Sequence, residues 1–191
     1  AFEDIMPSYP IESTITVDYI LAADTSVLEI KTTVRYHGSE RMDLDYNFQA
    51  FLLGDGLKYF MPGGGFDRDK LSGKPPLLVA AAPEVSYGFF EEGVPLKVLF
   101  NYQGMLFTIS EEQRLRTRQE ASFTRYMIVE KGGVDPVLRA YNGFHAIADL
   151  GEVTGVVTQG DDGPAVEGAR VHVVDPALES RNYINQTVAS K

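Results

Sequence analysis

Val27-Leu28-Glu29-Ile30-Lys31-Thr32-Thr33-Val34-Arg35-Tyr36 alternates over much of its length and is rich in β-branched residues, the pattern of a strand with one face buried. The β-branched clustering begins earlier, at Ile15. His37-Gly38-Ser39-Glu40 reads as a turn. Met42 to Phe48 then alternates again, with Leu44, Tyr46 and Phe48 on one face and Asp43, Asp45 and Asn47 on the other. The two runs are expected to pair as a hairpin. Further apolar runs at 50–53, 77–81, 94–102, 105–109 and 123–129 are separated by Gly, Pro or charged clusters. Strands so closely punctuated predict an all-β fold, an antiparallel β-sandwich.

Two stretches depart from the pattern. Glu111 to Glu120 carries Arg114, Arg116 and Arg118 with Leu115 its main apolar residue, and reads as a solvated loop or long hairpin. Asp135-Pro136 opens a run in which Val137, Leu138, Tyr141, Phe144, His145 and Ala148 recur at helical spacing. This predicts one short amphipathic helix, with Asp135 as N-cap and Pro136 in the first helical position. After Gly151 the composition changes. Glu152 to Thr158, a turn at Gly160 to Pro164, and Ala165 to Val174 read as a hairpin of a second unit. The expected division is a β-sandwich over 1–150 and part of a small Ig-like β-sandwich over 151–191. Thr187-Val188-Ala189-Ser190-Lys191 stops inside a β-like run, so the second unit reads as incomplete.

Composition narrows the function classes. The 191 residues are 44% apolar and 23% charged, with 18 Gly and 10 Pro, enough apolar material for a core. A net charge of −10 repels phosphate backbones and anionic lipid, which argues against nucleic acid as a partner. No apolar run approaches the roughly 18 residues of a membrane span. The lack of Cys excludes disulfides, thiolate nucleophiles and Cys-ligated metals. His37, His145 and His172 stand apart, with no H-x-H or H-E-x-x-H spacing, and no G-x-S-x-G elbow occurs. Each histidine therefore reads as a surface or packing residue.

Asp43 and Asp45 share a strand face, within about 7 Å of one another at a rise of roughly 3.4 Å per residue. They suit acid/base work or a hard cation, or simply the solvent face of a sheet. The most unusual stretch is Met61-Pro62-Gly63-Gly64-Gly65-Phe66-Asp67-Arg68-Asp69. Gly63, Gly64 and Gly65 permit positive φ or a close backbone approach, and Asp67 and Asp69 offer carboxylate ligands for calcium. The competing reading is a connecting loop. No Gly-Lys-Ser/Thr follows, so it is not a phosphate loop. A sugar-stacking surface would rest on tyrosines such as Tyr59, Tyr87 and Tyr102, since Trp is absent, although most such rings are core. Asn185-Gln186-Thr187 is a formal glycosylation acceptor.

Gly151 to Thr158 and Gly163 to Val174 resemble the opening of a carboxypeptidase-regulatory-like domain, whose pattern is G-x-V-x-G-x-V-T, a turn, then G-x-P-V-x-G-A-x-V. Val156, Val171 and Val173 would feed its sandwich core, and the later strands of that domain are missing here. Leu28 to Tyr36, Leu57 to Phe66, and Phe123 to Leu138 are similar to the N-terminal β-sandwich of bacterial metallohydrolases of the CehA/McbA type. In that family the sandwich resembles the supersandwich of aldose epimerases and precedes a regulatory-like domain and a metal-binding PHP hydrolase domain.

These resemblances imply a non-catalytic scaffold or binding region of an extracellular or periplasmic multidomain protein. Any metal-dependent hydrolase activity would lie outside this chain, with other domains of the parent as its partners. One alternative is a structural module that self-associates by pairing strands between chains. Another is an epimerase-like sugar-active domain. No catalytic residue is assigned.

Overall fold

A computed structural model describes residues 12–44, 48–52, 56–66, 75–102, 105–109, 113–177 and 183–190. In chain order the strands are β1 (Ser13–Leu21), β2 (Val27–Tyr36), β3 (Met42–Leu44), β4 (Phe48–Leu52), β5 (Lys58–Phe60), β6 (Leu78–Ala81), β7 (Val85–Glu91), β8 (Lys97–Tyr102), β9 (Met105–Ile109), β10 (Gln113–Leu115) and β11 (Glu120–Lys131). Helix α1 (Asp135–Phe144) follows, and then β12 (Arg170–Val174) and β13 (Tyr183–Val188). The fold is all-β and sandwich-like, built on an antiparallel six-stranded sheet in the order β1-β2-β11-β7-β6-β5. A three-stranded sheet β4-β9-β8 and the pairs β3-β10 and β12-β13 accompany it.

The alternation in β2 is realised. Ile30, Thr32, Val34 and Tyr36 are buried while Lys31 and Arg35 are exposed. Its partner is not the expected one. β2 lies between β1 and β11, and Met42–Leu44 pairs instead with β10, Asp43 opposite Arg114. The reason is competition for edges. A turn with Asp24 at φ 60° folds β1 back onto β2, and β11 takes the other edge in unbroken register from Glu120 opposite Arg35 to Ile128 opposite Val27. The stretch expected as a solvated loop or long hairpin contributes the short strand β10, because its Leu115 buries against Val34, Tyr36 and Ala121.

Both faces of the large sheet are covered on its β7-β6-β5 side. One face carries Tyr59, Leu78, Ala80 and Phe89, with Leu96 and Leu57 packed against them. The other carries Phe60, Val79, Phe90, Tyr126 and Ile128 beneath α1, which contributes Val137, Leu138, Ala140 and Tyr141. This double cover is why β6 reads as an unbroken apolar run rather than an alternating one. Gly88 lets the helix sit close, since a Cβ there would lie 2.5 Å from Val137 Cγ1.

The helix starts one residue earlier than expected. Val134, not Asp135, is the N-cap, and no side chain caps the helix. The Asp135 carboxylate is drawn elsewhere: Oδ2 meets Arg139 Nη2 at 2.7 Å and Oδ1 accepts from Asn185 Nδ2 at 2.7 Å. Among the described residues no helix is long and apolar enough to cross a membrane.

Beyond α1, residues 151–157 form no strand. The expected turn is present, closed by the Gln159 amide donating to the Pro164 carbonyl and by a bridge between Thr158 and Ala165. Val153 and Val156 are 80% and 79% exposed. Val153 and Val156 need an opposing sheet to be buried, and the described residues supply none opposite them. β12 and β13 pair with a register shift at Val173/Val174, and β13 is hydrogen-bonded to Val134 and Asp135 at the start of α1.

Candidate functional site

The glycine stretch folds into a closed turn. Met61 donates its amide to the Gly65 carbonyl at 3.0 Å, and its own carbonyl accepts the amides of Gly64 (3.0 Å) and Gly65 (2.9 Å). Gly63 and Gly65 have φ of +75° and +68°, conformations that a side chain resists. The amides of Gly64 and Gly65 are thus consumed inside the turn. Asp67 and Asp69 lie outside the described residues, as does Asp45. Among the described residues no three His, Asp or Glu side chains gather as a metal-binding group.

The turn delivers Phe66 to a junction. β13 is anchored to the start of α1 by the Val134 amide donating to the Gln186 carbonyl at 3.0 Å and by the Asn185–Asp135 hydrogen bond. Gln186 is buried, its amide accepted by Asn185 Oδ1 and its Nε2 bonded to the Thr187 carbonyl. Between this hairpin and the β5–β6 end of the sandwich lies a cleft of about 180 Å³, lined by Lys58, Phe66, Pro83, Arg170, His172 and Gln186 among others. Phe66 packs edge-on to Phe60 (5.2 Å between centroids) and to His172 (5.6 Å). Gly132 is pressed against the Pro83 carbonyl so tightly that no Cβ fits. Two cationic side chains beside an aromatic wall suit a carboxylate or phosphate on an apolar body.

Sequence spacing joins only Arg170 and His172, two apart on β12; the others come from β5, the glycine turn, the loop after β6 and β13, and meet only when the hairpin docks. Phe66 lies in the glycine stretch, Gln186 in the Asn185-Gln186-Thr187 triplet, and His172 is one of the three histidines, but nothing local in the sequence joins them. The Asn185 amide, committed to Asp135, is not presented as a free glycosylation acceptor. Tyr59 is core, Tyr87 is half-buried, and the side chain of Tyr102 lies outside the described residues.

Two further groups carry unusual environments. Arg125 and Glu91 form an ion pair at 2.6 Å, their side chains only 2% and 8% exposed, with the guanidinium 5.4 Å from the Phe123 ring. Burial pushes the Arg125 pKa down while Glu91 pushes it back up. The His145 ring packs among Phe90, Tyr141 and Phe144, and its buried Nε2 has no hydrogen-bond partner among the described residues. His37 is exposed and bonds Thr14 Oγ1 at 2.9 Å. The three histidines stand in separate surroundings.

No family model and no curated protein matches the sequence. Among solved structures, the fold is similar to the GH36 alpha-galactosidase AgaA from Geobacillus stearothermophilus, with a TM-score of 0.52 at 13% identity over 69% of this chain. A variant of the same enzyme in complex with 1-deoxygalactonojirimycin gives a TM-score of 0.52 at 13% identity over 70% of this chain. The chain spans 24% of the length of either enzyme chain. At that identity the likeness concerns the fold.

Proposed function

We propose that the chain is a non-catalytic β-sandwich scaffold from an extracellular or periplasmic multidomain hydrolase whose catalytic centre lies in another domain. The observation that carries this reading is the docked hairpin. It is fixed to the sandwich through Val134, Asp135 and Asn185, yet it leaves Val153 and Val156 exposed, as a platform does when a further domain completes it. Two resemblances support it: the CehA/McbA-type order of sandwich then regulatory-like strands, and the fold shared with about a quarter of an alpha-galactosidase chain. The junction cleft, with Lys58 and Arg170 on its walls, would seat an acidic or carboxylate-bearing segment of the neighbouring domain.

The test is direct. The chain is assayed against nitrophenyl phosphates and nitrophenyl galactosides, with and without divalent metal, and tryptic cleavage after Arg170 is timed in the chain and in Asn185→Ala. The proposal expects no turnover, and faster cleavage in the variant. Turnover abolished by a substitution within the chain would overturn it, as would cleavage unaffected by Asn185→Ala.

A further inference from the structure

Strand β1 closes one edge of the six-stranded sheet, and its sequence, Ser-Thr-Ile-Thr-Val-Asp-Tyr-Ile-Leu, has none of the usual edge protection. There is no Pro, no Lys and no bulge, and a single charge, Asp18. Long apolar edges of this kind invite pairing with another strand. The register with β2 puts Ile15, Val17 and Tyr19 opposite the buried Val34, Thr32 and Ile30, with Leu21 opposite Leu28. Opposed residues share a face. These four side chains therefore continue the sheet's core-facing side, yet they are 60%, 39%, 68% and 63% exposed.

The backbone shows how the edge can be satisfied. The Glu12 carbonyl accepts the His37 amide at 2.8 Å, so the backbone groups of Glu12 face β2. Because each residue's N–H and C=O point to one side and alternate along a strand, those of Thr14, Thr16, Asp18 and Ile20 face β2 too. Those of Ser13, Ile15, Val17, Tyr19 and Leu21 face outward.

From these features we propose that β1 is a homotypic docking edge: a second copy of the chain pairs antiparallel with it about a two-fold axis at Val17. Val17 then faces Val17, Ile15 faces Tyr19 and Ser13 faces Leu21, and every one of these is an outward-facing position. All outward donors and acceptors of both strands are used in one register. The core-facing side becomes a continuous Ile15, Val17, Tyr19 and Leu21 patch contributed by both copies. On the opposite side each row across β2, β1, the partner's β1 and the partner's β2 carries one cation and one anion. The rows read Arg35, Thr14, Ile20, Glu29 and Thr33, Thr16, Asp18, Lys31. No like charges stand directly opposite; the two Asp18 are diagonal neighbours across the axis, about 7–8 Å apart, and each has its own Lys31 opposite it in β2. A nine-residue strand spans about 30 Å at ~3.4 Å per residue, which places the contact near or below the lower limit of specific interfaces, roughly 1,200 Å². The pairing is therefore reversible, with dissociation in the micromolar range (on the order of −8 kcal/mol). This inference is independent of the scaffold reading.

Sedimentation velocity of the 191-residue chain between about 1 µM and 1 mM should show a monomer passing to a dimer. Val17→Pro removes only an outward N–H and should weaken the dimer at least tenfold, while Asp18→Pro, which removes a bond to β2, should destabilise the fold. The absence of Cys permits a register test. Val17→Cys places two thiols about 5.5 Å apart at Cα on the axis, within disulfide range, and should cross-link on oxidation, whereas Tyr19→Cys should not. Circular dichroism shows whether each variant keeps its fold. A chain monomeric throughout, a dimer indifferent to a folded Val17→Pro, or equal cross-linking of Val17→Cys and Tyr19→Cys would overturn the proposal.

Discussion

Replacing Gly88 by Ala tests how the helix is seated on the sheet. Gly88 is in β7 and its φ is not left-handed, so the glycine is there for space rather than for conformation. A methyl group there would come within 2.5 Å of Val137 Cγ1 and 3.2 Å of Ile128 Cβ. Both neighbours are fully buried, so neither relaxes into solvent. Overpacking of this kind costs about 1–3 kcal/mol, and the lower backbone entropy of Ala in the unfolded chain offsets about 0.4–1 kcal/mol. The expected net loss is about 1–2 kcal/mol. Val137→Ala alone should lose roughly 2 kcal/mol by removing buried methyl groups and leaving a cavity. In the double variant the methyl introduced by Gly88→Ala enters the vacated space, so the losses should fall short of additive by about 1 kcal/mol. Equilibrium urea unfolding with an unchanged m value measures all four states. Losses that add to within about 0.5 kcal/mol would refute the argument that Gly88 exists to admit Val137.

Arg125→Ala should destabilise by about 3–5 kcal/mol because Glu91 is left charged and buried, whereas Arg125→Met combined with Glu91→Leu should recover most of that loss in the same urea assay. Tyr59, Tyr126 and Tyr141 hold their phenol protons above the ordinary value near 10, by burial and, for Tyr126, also by the charges of Glu92 and Glu29. The unfolded chain releases these protons first, so the stability they contribute is complete below about pH 10 and is lost as pH climbs through the raised values. Urea midpoints should fall from about pH 9 to 11, less steeply in Tyr126→Phe; equal slopes would refute it. If Asp67 and Asp69 hold calcium, calorimetry should show binding that disappears in the Asp67→Asn, Asp69→Asn double variant, and no heat in the parent chain would leave the stretch a connector.

Much of the architecture is legible in local pattern. The alternation of β2 and the helical spacing of Val137, Leu138 and Tyr141 report one-sided burial, and burial is what the sheet and α1 supply. Pairing is another matter. Both 42–48 and 120–131 carry strand-like residues, and nothing local in β2 prefers one over the other. β11 prevails because it is long enough to fill the whole edge. The N-cap departs from its local signal for a similar reason, since Asp135 is diverted by Asn185, fifty residues away. The glycine turn is visible as an oddity of sequence, but its amides prove to be spent internally. The junction cleft is not visible at all, because Lys58, Phe66 and His172 meet only through a long-range docking that leaves no periodic trace.

The proposed reading, a sandwich carrying a docked second unit that a further domain completes, is tested most directly by native-state hydrogen exchange at low micromolar concentration. The Val134 amide, bonded to Gln186, and the amides that β12 shares with β13 should exchange slowly and together, while the amides of Val153 to Val156, which form no strand, should exchange at nearly unprotected rates. Hairpin amides that exchange as fast as 153–156 would show that the hairpin is not docked, and strong protection across 153–156 would show a second unit already complete; either result would contradict the account.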